Sequence, residues 1–145
     1  MPIDPFAHAE STADRWLAAV RIWLGTDNRV VAYRMLRAWL HVVRDRLPAE
    51  AAANFGTQLP VLLRGVFYEG WNPTYVPTRY GVPGFVARFA GSASINRAEV
   101  PDAAAAVTSA LSELCAPSQL ERVLKLMPDA LSELLTADVR KRHAS

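Results

Sequence analysis

Apolar residues recur at steps of three and four along most of the chain, the pattern of helices that bury one face. The clearest helix is predicted over residues 28–47, where one apolar stripe contains Tyr33, Leu36, Leu40, Val43 and Leu47. A first helix is predicted from Ser11 or Thr12, each a suitable N-cap, to Leu24. No segment has the two-residue alternation of a half-buried strand. The pattern therefore predicts an all-α fold.

Proline and glycine mark the remaining helix boundaries. A third helix is predicted over residues 48–55 and a fourth over residues 61–68, each preceded or begun by proline. In the second half, a helix over residues 82–90 is followed by three helices that open at Pro101, Pro117 and Pro128. The spacing of these signals predicts a helical bundle. The core is expected to include Leu36, Leu40, Val43, Leu59 and Leu63.

The two halves of the chain resemble each other. Trp16 and Phe85 each lie in a helix opening, and each half later reaches a Leu-Pro or Met-Pro motif, at Pro60 and at Pro128. The period predicts two similar units of three to four helices, an internal duplication, in one domain spanning residues 1–145. The first unit covers about 11–70, a loop covers 70–84, and the second unit covers about 82–138. A coincidence of helical periods remains the alternative.

The spacing between the halves is not constant along the sequence. Pro60 and Pro128 lie 68 positions apart, and Leu63 and Leu131 share that spacing. The preceding helix aligns better at 71 positions, where three apolar residues match: Leu36 with Val107, Leu40 with Leu111 and Val43 with Leu114. These two spacings predict that one connection is three residues shorter in the second half.

Three segments resemble the bacterial "domain of unknown function 2267" family: 36–47, which ends in Arg44-Asp45-Arg46-Leu47, then 58–65 and 67–71. The similarity covers about Arg15 to Ala137, and its specific part runs from Gln58 to Trp71. The resemblance implies a small, helical, cytosolic bacterial protein with duplicated halves, and it implies no activity. The chain departs from the family pattern at Trp16 and Trp23, where a Phe-Leu-x-Arg-Val-like opening is expected. It also departs at its second Leu-Pro motif, which is Met127-Pro128.

Composition and charge narrow the function classes. The 145 residues are 51% hydrophobic and carry a net charge of +2. Three cations stand in a basic tail at residues 139–145, and without them the net charge is −1 (2 − 3), unlike a dedicated DNA-binding domain. No apolar run approaches the ~20 residues of a membrane span, and the N-terminus lacks the pattern of a secretory signal. A cytoplasmic protein is therefore expected.

Catalytic and metal-binding patterns are not evident in the sequence. The histidines His8, His41 and His143 form no pair at helical spacing for a metal. The single cysteine, Cys115, follows an apolar helix, where a small buried thiol is favoured over a nucleophile. We therefore expect no enzyme, no cofactor and no metal.

One polar stripe follows the apolar stripe of the second helix, through Arg34, Arg37, His41 and Arg44. These residues could contact phosphates or an acidic partner, or they could keep the surface soluble while their stems cover apolar neighbours. Arg64 precedes Gly65, which would allow another helix to approach closely. We expect Arg64 to pair with a buried carboxylate or with a helix end.

The segment 70–84 and the helix before it carry the best candidates for a recognition surface: Tyr68, Trp71, Tyr75, Arg79 and Tyr80. Trp71 is predicted to fold back on the preceding helix and order the loop, leaving Tyr75 or Tyr80 exposed. A plain linker between the two units is the alternative.

The sequence thus predicts a helical interaction or adaptor module with an unknown protein partner, possible oligomers and no membrane contact. One alternative is weak nucleic-acid association through the Arg34–Arg44 stripe and the basic tail. A weaker one is a ligand-binding or enzymatic protein that uses a pocket between the two units.

Overall fold

The computed structural model describes residues 4–137, and every regular element in that range is helical. Eight α-helices follow in chain order: α1 (Ala7–Leu24), α2 (Arg29–Arg46), α3 (Ala49–Gly56), α4 (Val61–Tyr68), α5 (Val82–Ala93), α6 (Val100–Leu114), α7 (Pro117–Lys125) and α8 (Asp129–Leu135). Single 3₁₀ turns occupy Pro73–Tyr75 and Arg97–Glu99. The predicted all-α class is confirmed. The first three residues and the predicted basic tail at 139–145 lie outside the described residues.

Local signals set most helix ends where the sequence predicted them. The side chain of Asn28 caps α2 by accepting hydrogen bonds from the amides of Val30 at 2.9 Å and Val31 at 3.3 Å. Gly25 ends α1 in the left-handed conformation, with φ of 73°. The bounds of α4 match the prediction at both ends.

Two predicted boundaries were wrong. Helix α1 begins at Ala7, because the Asp4 carboxylate accepts from the amide of Phe6 at 2.9 Å and starts the first turn earlier. The predicted caps Ser11 and Thr12 therefore lie within α1. Helix α5 continues to Ala93, because the stop is Ser94 in a left-handed conformation with φ of 59°, where glycine would be the usual signal. Helix α6 starts at Val100 after a 3₁₀ turn and has Pro101 in its first turn, as predicted.

Helices α2 and α6 lie at the centre of the bundle. Helix α1 packs against α6, α5 packs against α2, α4 covers α2, α8 covers α6, and α3 meets α7. A buried hydrogen bond joins the two central helices, from the indole of Trp39 to the hydroxyl of Thr108 at 2.9 Å. Thr108 in turn donates to the carbonyl of Ala104 at 2.9 Å, so the buried polar groups satisfy one another.

The predicted core is confirmed, with one exception. Leu36, Leu40, Val43, Leu59 and Leu63 are all 3% exposed or less. Tyr33 was predicted to share their stripe, but it is 36% exposed. The buried face of α2 instead runs through the neighbouring residue Ala32, which is fully buried.

Candidate interaction surface

Arg44 lies buried on α2 against the C-terminal end of α4. Its Nη1 donates to the carbonyl of Phe67 at 2.7 Å and to that of Glu69 at 2.6 Å. Its Nε donates to Asp45 Oδ1 at 2.9 Å. The last carbonyls of a helix have no intrahelical donor and carry the negative end of the helix dipole. Arg44 therefore completes α4 as a C-terminal cap.

His41 acts at the same helix end. Its Nε2 lies 2.6 Å from the carbonyl oxygen of Val66, which can only accept, so Nε2 carries the proton and donates. The pKa of His41 is lowered from its ordinary value of 6.5, mainly because the ring is buried. The hydrogen bond to Val66 raises the pKa, whereas the nearby charges of Arg44 and Arg37 lower it further. We call His41 and Arg44, with the three carbonyls that they hold, the α4 cap.

The α4 cap corrects the prediction of an exposed cationic stripe. Arg44 is only 4% exposed, His41 is half-buried, and the Nε of Arg37 lies 3.6 Å from Glu69 Oε1. Both predicted roles, phosphate contact and surface solubility, require exposed side chains. Helix α4 packs across this face of α2, and of the four residues only Arg34 is exposed.

Arg64 caps the C-terminal end of α3 in a similar way. Its Nε donates to the carbonyl of Gly56 at 3.0 Å, and its Nη2 to the carbonyls of Leu59 at 3.0 Å and Thr57 at 3.2 Å. The predicted pairing with a helix end is confirmed, and the carboxylate alternative was wrong. The predicted close approach at Gly65 was also wrong, because that residue is exposed and faces open space.

Close approach occurs at Gly56 instead. A Cβ atom there would overlap the hydroxyl of Tyr68, whose ring lies over the α3 backbone. The Tyr68 hydroxyl donates to the carbonyl of Ala53 at 3.4 Å. Tyr68, a predicted recognition residue, is thus placed between α3 and α4 and is half-buried.

Trp71 orders the start of loop 70–84, as predicted. Its ring centroid lies 5.3 Å from that of Tyr68, and it is half-buried against the core. Gly70, with φ of 68°, makes the turn that brings the indole back over α4. Packing positions the ring, since its buried Nε1 has no hydrogen-bond partner among residues 4–137.

Tyr80 anchors the C-terminal part of loop 70–84 to α2. Its hydroxyl donates to the carbonyl of Val42, and its own carbonyl accepts from Arg46 Nε at 3.2 Å. The guanidinium of Arg88 stacks 4.8 Å from the ring centroid. Burial raises the pKa of Tyr80 well above its ordinary value. Tyr80 is therefore a structural anchor rather than an exposed recognition residue.

Tyr75 is the exposed aromatic of the loop, at 76% of its surface. It ends a 3₁₀ turn whose cap is Asn72, the side chain of which accepts from the amide of Thr74 at 3.0 Å. Three residues later, the amide of Thr78 donates to the carbonyl of Asp45 on α2 at 2.7 Å. The structure thus brings Tyr75 and exposed Arg79 to the surface of a loop that is tied to the core on both sides.

Cys115 follows α6 at its C-cap and is half-buried. Burial raises the pKa of its thiol to about 11. The thiol is accordingly protonated at neutral pH, whereas a nucleophilic cysteine requires the thiolate.

A cleft between α3 and α7 was not located from the sequence, although a pocket between the units was one alternative. It encloses about 480 Å³ and has an apolar floor that includes the buried side chains of Phe55 and Val123. Its rim carries amides, a hydroxyl and two cations, Arg122 and Lys125. Sequence periodicity could not reveal it, because the two walls come from segments far apart in the chain.

The described residues give two further findings. Within residues 4–137, no group of three or more His, Cys, Asp and Glu side chains is arranged to hold a metal ion. No helix in that range is both long and apolar enough to cross a membrane.

Comparison with known proteins agrees with the resemblance seen in the sequence. A search of curated proteins finds no match. The model of the family described as "Uncharacterized conserved protein (DUF2267)" matches residues 13–134, from within α1 to within α8. This match spans most of the chain, and the protein therefore belongs to the DUF2267 family.

Proposed function

We propose that this protein is a non-catalytic helical interaction module that contacts a protein partner through loop 70–84. The observation that carries the proposal is the exposure of Tyr75, at 76%, on a loop fastened to the core by Trp71 and Tyr80. Binding costs less when a loop is already ordered, because its conformational entropy has been lost on folding. Tyrosine suits such a position, since it contributes a large contact area and one polar group.

We also infer that the two halves are copies of one four-helix unit. Buried residues of α2–α4 have buried counterparts in α6–α8 at a constant spacing of 68 positions: Trp39 and Val107, Val43 and Leu111, Phe55 and Val123, Leu59 and Met127, Leu63 and Leu131, Phe67 and Leu135. Caps follow the same spacing, with Pro60 at φ −57°, ψ 152° and Pro128 at φ −56°, ψ 148°. The packing of α1 on α6 mirrors that of α5 on α2.

This proposal uses a spacing of 68 for the central helices, where a spacing of 71 was predicted from the sequence. The C-cap of α2 is Leu47, with φ −91° and ψ 148°, and the C-cap of α6 is Cys115, with φ −89° and ψ 157°, again 68 positions apart. A continuous helix keeps its register, so this spacing applies along the helix. Gly25 and Ser94, which end α1 and α5 in left-handed conformations, lie 69 positions apart. Under this proposal no three-residue difference follows the central helices, and a one-residue difference lies before them, in the connections α1–α2 and α5–α6.

Other predictions retain weaker support. Nucleic-acid association would depend on exposed Arg34 and Arg79 and on the basic tail, since the rest of the cationic stripe is buried or paired. A cytoplasmic location and a bacterial origin stay predictions.

The test is affinity capture from native cytosol, with and without nuclease, using the wild type, Tyr75→Ala and Tyr33→Ala as baits. Tyr33→Ala is the matched control, because it removes another exposed tyrosine from a different surface. We expect a nuclease-resistant partner that Tyr33→Ala retains and Tyr75→Ala loses, with affinity for the purified partner reduced about 5- to 30-fold. A partner that Tyr75→Ala retains, or one released by nuclease, would contradict the proposal.

A further inference from the structure

The cleft between α3 and α7 is formed by equivalent positions of the two halves. Its ten lining residues fall into five pairs, each 68 positions apart: Ala51 and Gln119, Asn54 and Arg122, Phe55 and Val123, Thr57 and Lys125, Gln58 and Leu126. The two walls therefore come from positions that correspond in the proposed duplication. They differ in side-chain chemistry.

The two walls differ in charge. The α7 wall carries Arg122 and Lys125, while the corresponding residues on the α3 wall are Asn54 and Thr57, both uncharged. Among residues 4–137, no carboxylate lines the cleft, and neither cation has an ion-pair partner within 4.0 Å. The cleft is thus positive on one side and neutral on the other.

The floor of the cleft is apolar. Phe55 and Val123 are each 3% exposed, and Leu126 at the rim is 48% exposed. A volume of about 480 Å³ is that of a small-molecule site. Helices α3 and α7 have only 8 and 9 residues, which gives walls of about 12–14 Å and favours a small molecule over a long partner helix.

We propose that this cleft binds a small amphipathic carboxylate, whose anionic end faces Arg122 and Lys125 and whose apolar body covers Phe55, Val123 and Leu126. The amides of Gln58 and Gln119 supply further donors at the rim. The arrangement follows the usual composition of ligand sites, a mainly apolar surface with a few polar groups that fix orientation. The site is separate from Tyr75 and does not depend on the function proposed for loop 70–84.

A purely structural role for the two cations gives a different expectation. Arg122 and Lys125 stand in the last turn of α7, where cations stabilise a helix through its dipole. If that were their only role, replacing them would lower the melting temperature without changing the binding of any ligand. Binding and stability must therefore be measured on the same variants.

The experiment uses the full chain and three probes that share one apolar body: 4-phenylbutanoate, 4-phenylbutan-1-ol and 4-phenylbutylamine. Each is titrated while amide chemical shifts are recorded by NMR. For a ligand of about 12 heavy atoms we expect the carboxylate to bind with a Kd on the order of 1 mM. The alcohol should bind more weakly and the amine weakest, with the shifts centred on α3 and α7.

Two variants test the site itself. Arg122→Gln with Lys125→Gln should weaken binding of the carboxylate about fivefold and leave the alcohol within about twofold, as expected for two partly exposed charge contacts. Arg34→Gln with Arg97→Gln, which changes two exposed cations elsewhere, is the matched control and should bind like the wild type. Asn54→Trp, at an exposed lining position, should fill the cleft and abolish binding of both probes.

Several results would overturn the proposal. These are equal binding of the carboxylate and the amine, shifts that map outside the cleft, absence of saturable binding by any probe, or unchanged affinity in the Arg122→Gln, Lys125→Gln variant. Shifts in the cleft that depend on protein concentration without any probe would assign it to self-association instead. Because the charge variant and the filling variant change different residues, misfolding of one leaves the other as a test.

Discussion

In the duplication that we infer, α4 on α2 corresponds to α8 on α6, but the C-terminal ends of α4 and α8 differ in chemistry. In the first half, Arg44 holds the last carbonyls of α4, and at the equivalent position of α6 stands Ser112. Ser112 instead donates to the carbonyl of Thr108 within its own helix, at 2.9 Å. Arg64, which caps α3, corresponds to Ser132 in α8. Under the proposed duplication, the two halves thus share buried apolar positions, whereas within residues 4–137 the arginine caps occur in the first half.

This difference has a physical consequence for stability. A buried cation that satisfies several carbonyls contributes little when it is intact, but its removal leaves polar groups without partners. Substitutions at equivalent positions should therefore be far more damaging in the first half.

The largest effect is expected for Arg44→Met. The change leaves the carbonyls of Phe67 and Glu69 without their donor and should lower the free energy of unfolding by about 1–3 kcal/mol for each carbonyl. The equivalent change in the second half, Ser112→Ala, removes one exposed hydroxyl and should stay within about 0.5 kcal/mol. Urea unfolding of both variants measures the difference. Similar losses in the two variants would mean that the α4 cap does not stabilise the fold.

Two glycines of the first half should respond in opposite directions. Gly56→Ala introduces a Cβ that overlaps the Tyr68 hydroxyl, and overpacking of this kind should cost about 1–3 kcal/mol. Gly65 lies within α4, and a Cβ atom there would face open space. Gly65→Ala should therefore stabilise the protein by about 0.5–1 kcal/mol, because alanine has the higher helix propensity.

A double-mutant cycle sharpens this prediction. In a Tyr68→Ala background the Gly56→Ala cost should largely disappear, since the two side chains no longer compete for space. An unchanged cost would place the strain in the backbone and not in the contact with Tyr68.

These residues also indicate how far the sequence could predict the structure. Periodicity located the helices and the core, because burial of one helix face depends on spacing along a single segment. The cap formed by Arg64 was predicted only as one of two possibilities, and Arg44 was placed on the surface. Arg44 is buried because α4 packs across α2, and the sequence pattern of α2 alone does not show which helix covers that face.

In loop 70–84 and in the α3–α7 cleft, too, local contacts could be predicted from the sequence and contacts between distant segments could not. The anchoring of Trp71 could be predicted because it follows directly on the helix that it covers. The burial of Tyr80 could not, since its partners Val42 and Arg46 lie more than thirty positions earlier. The α3–α7 cleft combines walls 68 positions apart, so it follows from the relation between the halves and from no local motif.

The smallest effect concerns pH and the other member of the α4 cap, His41. Burial lowers its pKa, so the folded protein prefers the neutral imidazole, whereas the unfolded chain takes up a proton near its ordinary value of about 6.5. As the pH falls through and below that value, the unfolded state binds more protons, and the free energy of unfolding decreases. His41→Gln keeps a donor for the carbonyl of Val66 without a titrating group. Ser109, the equivalent residue of α6, provides no such group in the second half.

The wild type should therefore exceed His41→Gln in stability by its largest margin near pH 7.5. That margin should shrink as the pH is lowered toward 5.5, because only the wild type has at position 41 a side chain that takes up a proton more readily in the unfolded state than in the folded state. Urea unfolding at several pH values measures the margin, and an NMR titration of the His41 ring should give a pKa below 6.5. If the margin instead grew at low pH, the fold would be stabilising the imidazolium, and the donor to Val66 would be a charged histidine. The cap would then combine two cations on one helix end, and the Arg44→Met variant should raise the pKa of His41.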